Sequence, residues 1–454
     1  MSRPLVHFTP AHNWMNDPNG LLFHDGRYHL FFQYNPEGIG HANMSWGHAS
    51  STDLIDWTEH PVAIPCDENE QIFSGSAVVD EGNTAGFAGP GETALVAIYT
   101  SVSAVTGIQS QTLAYSVDDG MTWTKYGTPV LDRGSKDFRD PKVFRYRGPS
   151  DDYWVMVAVE AVDRQVVLYR SDDLREWTFL SVYGPAGAVD GIWECPDLFP
   201  LAVDGDSGDV RWVLVISMSP GAIAGGSGTQ YIVGRFDGVA FTADVPLAAG
   251  ESDAVDWLDF GRDCYAGVTF NGLPDERRTF IAWMSNWDYA REWPAEGARG
   301  AMTVARRLSL TMVDGRPQLT AAPVLPDGVV VESSADGTWL LPDAARIEIT
   351  GRAGEVELIV RDGPKAVLSW TPEEVVLDRT AFIGIDDSFP SRERMPLPVT
   401  VTGSLTLVVD RGSVEVFAAG GSRTLTDLVP WNGPVTLVPR EPTTRESIAV
   451  QALT

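Results

Sequence analysis

Asn16-Asp17-Pro18-Asn19-Gly20-Leu21-Leu22-Phe23 runs into the turn His24-Asp25-Gly26-Arg27 and leaves it as Tyr28-His29-Leu30-Phe31-Phe32. A polar or acidic start, an apolar strand, a turn and a second apolar strand make one plan, and the chain repeats it. The second copy opens at Phe73-Ser74-Gly75-Ser76, with strands at 77–79 and 94–99. The third opens at Asp140, with strands at 142–146 and 153–159. The fourth opens at Glu194, with 197–201 and 212–216, and the fifth at Asp263, with 265–270 and 279–283. A second echo follows the strand pairs of three copies. Ser51-Thr52-Asp53-Leu54-Ile55-Asp56-Trp57 returns as Ser171-Asp172-Asp173-Leu174-Arg175-Glu176-Trp177, with a variant ending at Trp123. These read as turns between outer strands. Repetition at near-equal spacing, with no helical periodicity, predicts a five-bladed β-propeller of four strands per blade.

In a propeller the first strand of each blade lines a central channel, so equivalent starts converge at one mouth. Asp17, Asp140 and Glu194 would meet there although distant in sequence. Each lies next to a proline or one residue from it: Asp17-Pro18, Asp140-Pro141, Glu194-Cys195-Pro196. Clustered acids suit cleavage of a sugar bond, which uses one ionised carboxylate and one protonated donor whose pKa values are pushed apart. Taken singly the acids say little. Asp-Pro and Asn-Gly are common turn pairs, Arg139-Asp140 reads equally as an ion pair, and Glu194 as a turn cap. Their recurrence at equivalent positions selects the catalytic reading.

After Leu310 the pattern changes. Turn-rich stretches at 313–317 and 323–328 precede alternating strands at 345–350, 355–360, 405–410 and 413–417. Short alternating strands predict an antiparallel β-sandwich. The expected division is a propeller over 1–320 and a sandwich over 321–454, an all-β chain throughout.

Asp and Glu number 62 against 33 Lys and Arg, a net charge of −29. That balance argues against nucleic acid and anionic membranes as partners, since both are bound through basic patches. No run approaches the ~18 apolar residues of a membrane span. Three cysteines, Cys66, Cys195 and Cys264, form no disulfide framework. The first ten residues lack the apolar centre of a signal peptide, so the chain as it stands is expected in the cytoplasm, or secreted if a leader was trimmed. All seven histidines fall within the first sixty residues, but at no metal-ligand spacing. Neither a metal nor another cofactor is expected. His41 and His48 are placed at the pocket rim. Cys195 has no basic neighbour and reads as a small packing residue. No feature bears on oligomeric state.

His7-Phe8-Thr9-Pro10, Trp14-Met15-Asn16-Asp17-Pro18-Asn19-Gly20, Phe32-Gln33-Tyr34-Asn35-Pro36, Trp46-Gly47-His48-Ala49, Phe73-Ser74-Gly75-Ser76, Phe138-Arg139-Asp140-Pro141 and Trp193-Glu194-Cys195-Pro196-Asp197 together resemble glycoside hydrolase family 32. Arg299-Gly300-Ala301-Met302 and Ser413-Val414-Glu415-Val416-Phe417 extend the resemblance into the sandwich. That family holds invertases, inulinases and levanases. The resemblance implies a retaining β-fructofuranosidase acting on fructose-containing oligosaccharides. It implies Asp17 as nucleophile, Glu194 as general acid and then base, and Asp140 as a transition-state stabiliser through the fructose hydroxyls. Asn16, Gln33, Trp46, Phe73, Ser74 and Arg139 are the implied pocket walls. Asp263 joins them by its position, although Cys264 departs from the family's usual aromatic residue. Trp287, in Ser285-Asn286-Trp287, resembles the exo-acting members. Three alternatives stay open: a fructosyltransferase, a sugar-binding propeller without catalysis, and an inverting arabinoside hydrolase of related fold. Carboxyl separation distinguishes the last, ~5–5.5 Å for retention and ~6.5–9.5 Å for inversion.

Overall fold

The structure, a computed structural model, describes residues 3–149, 151–361, 363–399, 403–431, 433–440 and 448–453. β-Branched and aromatic runs give strands almost throughout, and among the described residues the only helices are short 3₁₀ turns. Up to residue 323 the strands pair in antiparallel groups of four, in chain order. The first holds Asn13–His24, Arg27–Asn35, Ser45–Ser51 and Thr58–Ile64. Glu70–Asp80 opens the second, Phe138–Arg147 the third and Ile192–Val203 the fourth. Tyr265–Thr269, Thr279–Trp283, Arg306–Val313 and Arg316–Pro323 follow as a further group, linked to the fourth through Val203 and Leu310. The opening strands pack against one another in a ring. It closes where Asn271 exchanges backbone bonds with Leu21 and Phe23. This is a β-propeller.

Each opening strand breaks register with its neighbour at the same depth. The breaks fall between Met15 and Pro18, Ile72 and Gly75, Glu194 and Asp197, and Tyr265 and Val268; in the third strand the break lies between Arg139 and Lys142. A β-bulge inserts an unpaired residue and re-aims side chains. Pro141 and Pro196 sit inside two of these breaks, where the missing N–H loses no ladder bond, and Pro18 borders a third. Asp140 (φ 61°), Cys195 (φ 46°) and Ala266 (φ 54°) take left-handed conformations within the bulges. Such strain persists only where the surroundings enforce it.

Below the bulges a polar layer ties the opening strands together. Lys142 Nζ lies 3.2 Å from Asp197 Oδ2, which also accepts from Thr269 N at 2.7 Å and Thr269 Oγ1 at 2.8 Å. Asn271 Nδ2 donates to the carbonyls of Ala77 and Val143, tying neighbouring strands. This layer forms the floor of a separate cavity of about 1000 Å³ at the opposite mouth.

Beyond residue 323 the described residues form two six-stranded sheets that face each other. Ala344–Thr350, Ser404–Asp410, Ser413–Ala418 and Arg423–Leu428 belong to one, Gly354–Val360, Lys365–Trp370 and Glu374–Asp378 to the other. Their inward residues, among them Ile347, Leu358, Leu368, Leu407 and Val416, are fully buried. Burial of each stabilises by ~1.5–3 kcal/mol.

The sandwich meets the propeller through buried charge. Arg306 donates to Asp259 Oδ2 at 3.0 Å and to Glu415 Oε2 at 2.5 Å. His7 joins Asp410 Oδ2 (2.9 Å) and Glu415 Oε1 (2.8 Å), with all three side chains buried. At Gly261 a Cβ would lie 2.1 Å from the Thr426 carbonyl oxygen, so the backbones approach as only glycine permits.

Burial alone would discharge His7, but the hydrogen bonds and charges of Asp410 and Glu415 outweigh it and raise its pKa to about 9. Burial alone would raise Glu415; Arg306 and His7 instead hold it down at about 2. The His7 contribution is complete below its unfolded value of about 6.5 and is lost as pH climbs through 9; the Glu415 contribution is complete above about 4.5 and is lost as pH falls through 2. Melting temperature should therefore decline between pH 6.5 and 9, by an amount corresponding to ~3 kcal/mol at most. His7→Gln should flatten that decline in pH-resolved calorimetry. Gly261→Ala should lower the melting temperature at every pH.

Candidate active site

The bulges bring three acids into one cluster. Asp17 projects from the first, where Ser74 Oγ from the second donates to its Oδ2 at 2.6 Å and Asn16 Nδ2 to its Oδ1 at 3.0 Å. Trp14 Nε1 donates to Asn16 Oδ1 at 2.7 Å, which turns the amide nitrogen toward Asp17. Asp140 comes from the third strand. Its Oδ2 accepts from the Cys195 backbone N–H at 2.9 Å, and its own N–H donates to Thr100 Oγ1 at 2.9 Å. Glu194 comes from the fourth. Arg139 Nε donates to its Oε1 at 3.2 Å and lies 4.0 Å from Asp140 Oδ2. Tyr265, from the last group, donates its hydroxyl to Glu194 Oε2. The Cys195 thiol stands 3.7 Å from both Asp17 Oδ2 and Asp140 Oδ2. Asp17, Asp140 and Glu194 thus share one site, with Asp140 buried and the other two partly exposed.

Burial is the main cause of a raised pKa at Asp17, opposed by the Ser74 and Asn16 hydrogen bonds and reinforced by Glu194. At Asp140 burial again dominates. Arg139 pulls downward, Glu194 and Asp17 push upward, and the result is about 7. Burial works against the Arg139 cation, but Glu194 and Asp140 outweigh it and hold the guanidinium above its ordinary value. Burial and then the Glu194 charge keep the Tyr265 phenol well up, so it remains a donor. Burial and the three acids likewise keep Cys195 a thiol, which suits its position as a small group packed between carboxylates. The cluster can therefore hold carboxyls in different protonation states near neutrality.

Aromatic rings frame the mouth. Trp287 stacks on Trp14 at 6.0 Å and packs on Trp283 at 4.8 Å, while His41 sits edge-on to Trp287 at 5.4 Å and near Phe73 at 6.4 Å. Phe73 and Trp287 keep partial exposure. The other expected wall residues are engaged by groups of the protein itself. Trp46 has no exposed surface; packed on Phe31 and Tyr99, it donates its indole N–H to the Phe73 carbonyl from behind. Gln33 spends its amide nitrogen on Asn19 Oδ1 and the Ile72 carbonyl. Asp263 points to the domain seam, where Arg379, Tyr289 and the Leu428 N–H bind its carboxylate. His48 is not at the rim: it stacks on Phe31 at 4.4 Å inside the first group and shares a 3.1 Å ring-nitrogen hydrogen bond with His29, and burial lowers its pKa to about 2. Tyr265, Thr100 and the Cys195 backbone were not singled out by the sequence. The one available signal was Tyr265, two residues beyond Asp263 in an opening strand.

Residues 7–323 match the model for the glycosyl hydrolases family 32 N-terminal domain, and residues 326–430 that for the family's C-terminal domain. A levanase of Bacillus subtilis (strain 168) is 42% identical over 458 residues, covering 94% of this chain and 66% of the levanase. An extracellular exo-inulinase of Aspergillus ficuum is 38% identical over 490 residues, covering 95% of this chain and 90% of the relative. The crystal structure of exo-inulinase from Aspergillus awamori superposes with a TM-score of 0.88 at 35% identity, covering 99% of this chain and 97% of that one.

A carboxyl held near 7 in the folded state and near 3.8 in the unfolded state costs stability above pH 4. Asp140→Asn should abolish a carboxyl titration near pH 7 seen by difference infrared spectroscopy. It should also raise the melting temperature at pH 8. A variant that melts lower at pH 8 would contradict the burial penalty.

Proposed function

The chain belongs to glycosyl hydrolases family 32, and from that premise we propose that it is a retaining β-fructofuranosidase releasing terminal fructose from sucrose and from short inulin- or levan-type fructans. One observation carries the reading: Asp17 and Glu194 converge on a third acid, Asp140, which is linked to Asp17 through the Cys195 thiol and to Glu194 through Arg139.

In the first step the Asp17 carboxylate attacks C2 of the fructosyl unit. The C2–O bond breaks, and Glu194 gives its proton to the departing oxygen. In the second step Glu194, now a carboxylate, takes a proton from water. The water oxygen bonds to C2, and Asp17 leaves as a free carboxylate. General acid help of this kind contributes roughly 10²–10⁴ in rate. Asp140 forms no covalent bond; it meets the fructose hydroxyls and steadies the oxocarbenium-like transition state. Asn16 and Ser74 aim Asp17, and Arg139 aims Glu194. Phe73 and Trp287 offer faces for the sugar, with Gln33 and Trp46 fixing the wall behind. We assign the catalytic propeller to the residues up to 323, where the strand Arg316–Pro323 ends, three residues past the expected boundary of 1–320, and the sandwich, expected over 321–454, to the residues beyond. Among the described residues no helix is long and apolar enough to cross a membrane. Hydrolysis is preferred to fructosyl transfer because the levanase and exo-inulinase relatives resemble the chain along both domains.

Asp17→Asn should abolish turnover, by at least about 10⁴-fold, while leaving the circular dichroism spectrum unchanged. Glu194→Gln should harm sucrose far more than an activated aryl fructoside; equal losses would count against its acid role. Proton NMR of the first product should show β-fructofuranose, and α-anomer would exclude retention. At high sucrose, free glucose and fructose should dominate, whereas abundant oligomers would favour transfer.

A further inference from the structure

We propose that Arg379, from the sandwich, is a positioning residue for Glu194, acting through Asp263 and Tyr265; this rests on Glu194 being the proton donor. Residues 259–263 lie along the sandwich strand Arg423–Leu428. Phe260 N–H donates to the Thr424 carbonyl at 2.8 Å, Asp263 N–H to the Thr426 carbonyl at 3.0 Å, and Arg262 N–H to Asp427 Oδ1 at 2.9 Å. Thr426 N–H returns a bond to Asp259 Oδ1 at 2.8 Å. The segment is therefore laid down by the second domain and not by its own sheet.

Arg379 locks its end. Nη1 reaches Asp263 Oδ2 at 3.0 Å and the Leu428 carbonyl at 2.7 Å. Nη2 reaches the Tyr289 hydroxyl at 2.9 Å, and Nε reaches Ser391 Oγ at 2.9 Å. Phe389 packs 4.2 Å beneath the guanidinium. Tyr289 donates to Asp263 Oδ1 at 2.7 Å, so both carboxylate oxygens are held. Arg379, Asp263 and Tyr289 have no exposed surface. Two residues further on, Tyr265 begins the opening strand and gives its hydroxyl to Glu194 Oε2. A misplaced Asp263 would therefore rotate that hydroxyl away from the donor carboxyl. The charged and titratable groups around the relay are Asp427, Glu393 and Arg262 at the Arg379 end, and Arg139, Asp17, Asp140, Cys195 and His41 at the Glu194 end.

The test compares Tyr289→Phe and Arg379→Lys with Tyr265→Phe, using His7→Gln as a seam control. Tyr289→Phe keeps volume and loses only the hydroxyl, so it remains informative if Arg379→Lys does not fold. Full pH profiles of kcat and KM are recorded on sucrose and on an activated aryl fructoside. Tyr289→Phe and Arg379→Lys should each lose about tenfold in kcat on sucrose, with KM within twofold and a displaced alkaline limb. The loss should nearly vanish on the aryl substrate. Adding Tyr289→Phe to Tyr265→Phe should cost little more, since both act on one contact. His7→Gln should lower melting temperature and leave the limb in place. A lowered melting temperature with kcat and the limb unchanged in Tyr289→Phe would overturn the proposal, as would full additivity with Tyr265→Phe. Equal loss of Glu194→Gln on both substrates would instead overturn the donor assignment, and the relay with it.

Discussion

A strand in a regular ladder points successive side chains to opposite faces, and none of them along the channel toward a common centre. The unpaired residue in each opening strand removes that restriction. It lets Asp17, Ser74, Asp140, Glu194 and Tyr265 turn into one pocket while the strands on either side keep their pairing. The prolines, the left-handed residues and the cross-strand hydrogen bonds all answer to this requirement. Proline fills positions where no N–H is needed. The Asp140 carboxylate accepts from the backbone at Cys195, inside the next bulge. Each break is thus braced by a neighbour's.

Bringing acids together in a buried place costs free energy, and the molecule limits the cost locally. Asp17 retains two hydrogen-bond donors and some exposure, while Arg139 offsets the charge of Asp140 and Glu194. What remains uncompensated falls on Asp140, the most buried of the three, and its pKa records it. The domain seam uses the opposite arrangement. Arg306 and His7 alternate with Asp259, Glu415 and Asp410, so buried charges there meet partners of the other sign. One cluster is arranged for reactivity and the other for attachment.

The repeat was legible because each acid travels with a proline and an apolar run, and those are the local marks of a bulge in an opening strand. The sandwich was legible from alternation alone. Asp263 was misplaced because sequence gives a residue's depth along a strand and not the side its carboxylate takes. Arg379, more than a hundred residues later, decides that side. Tyr265 takes the pocket position instead. Trp46 and His48 carry family-like motifs, but packing on Phe31 draws both rings inward. Tertiary stacking of that kind leaves no trace in local spacing.

The Lys142–Asp197–Asn271 layer shares its strands with the acids: Lys142 lies two residues beyond Asp140, and Asp197 three beyond Glu194. A substitution that breaks this buried contact therefore reaches the acids along the backbone, so a change facing the far cavity carries a cost at the site that distance alone would not suggest.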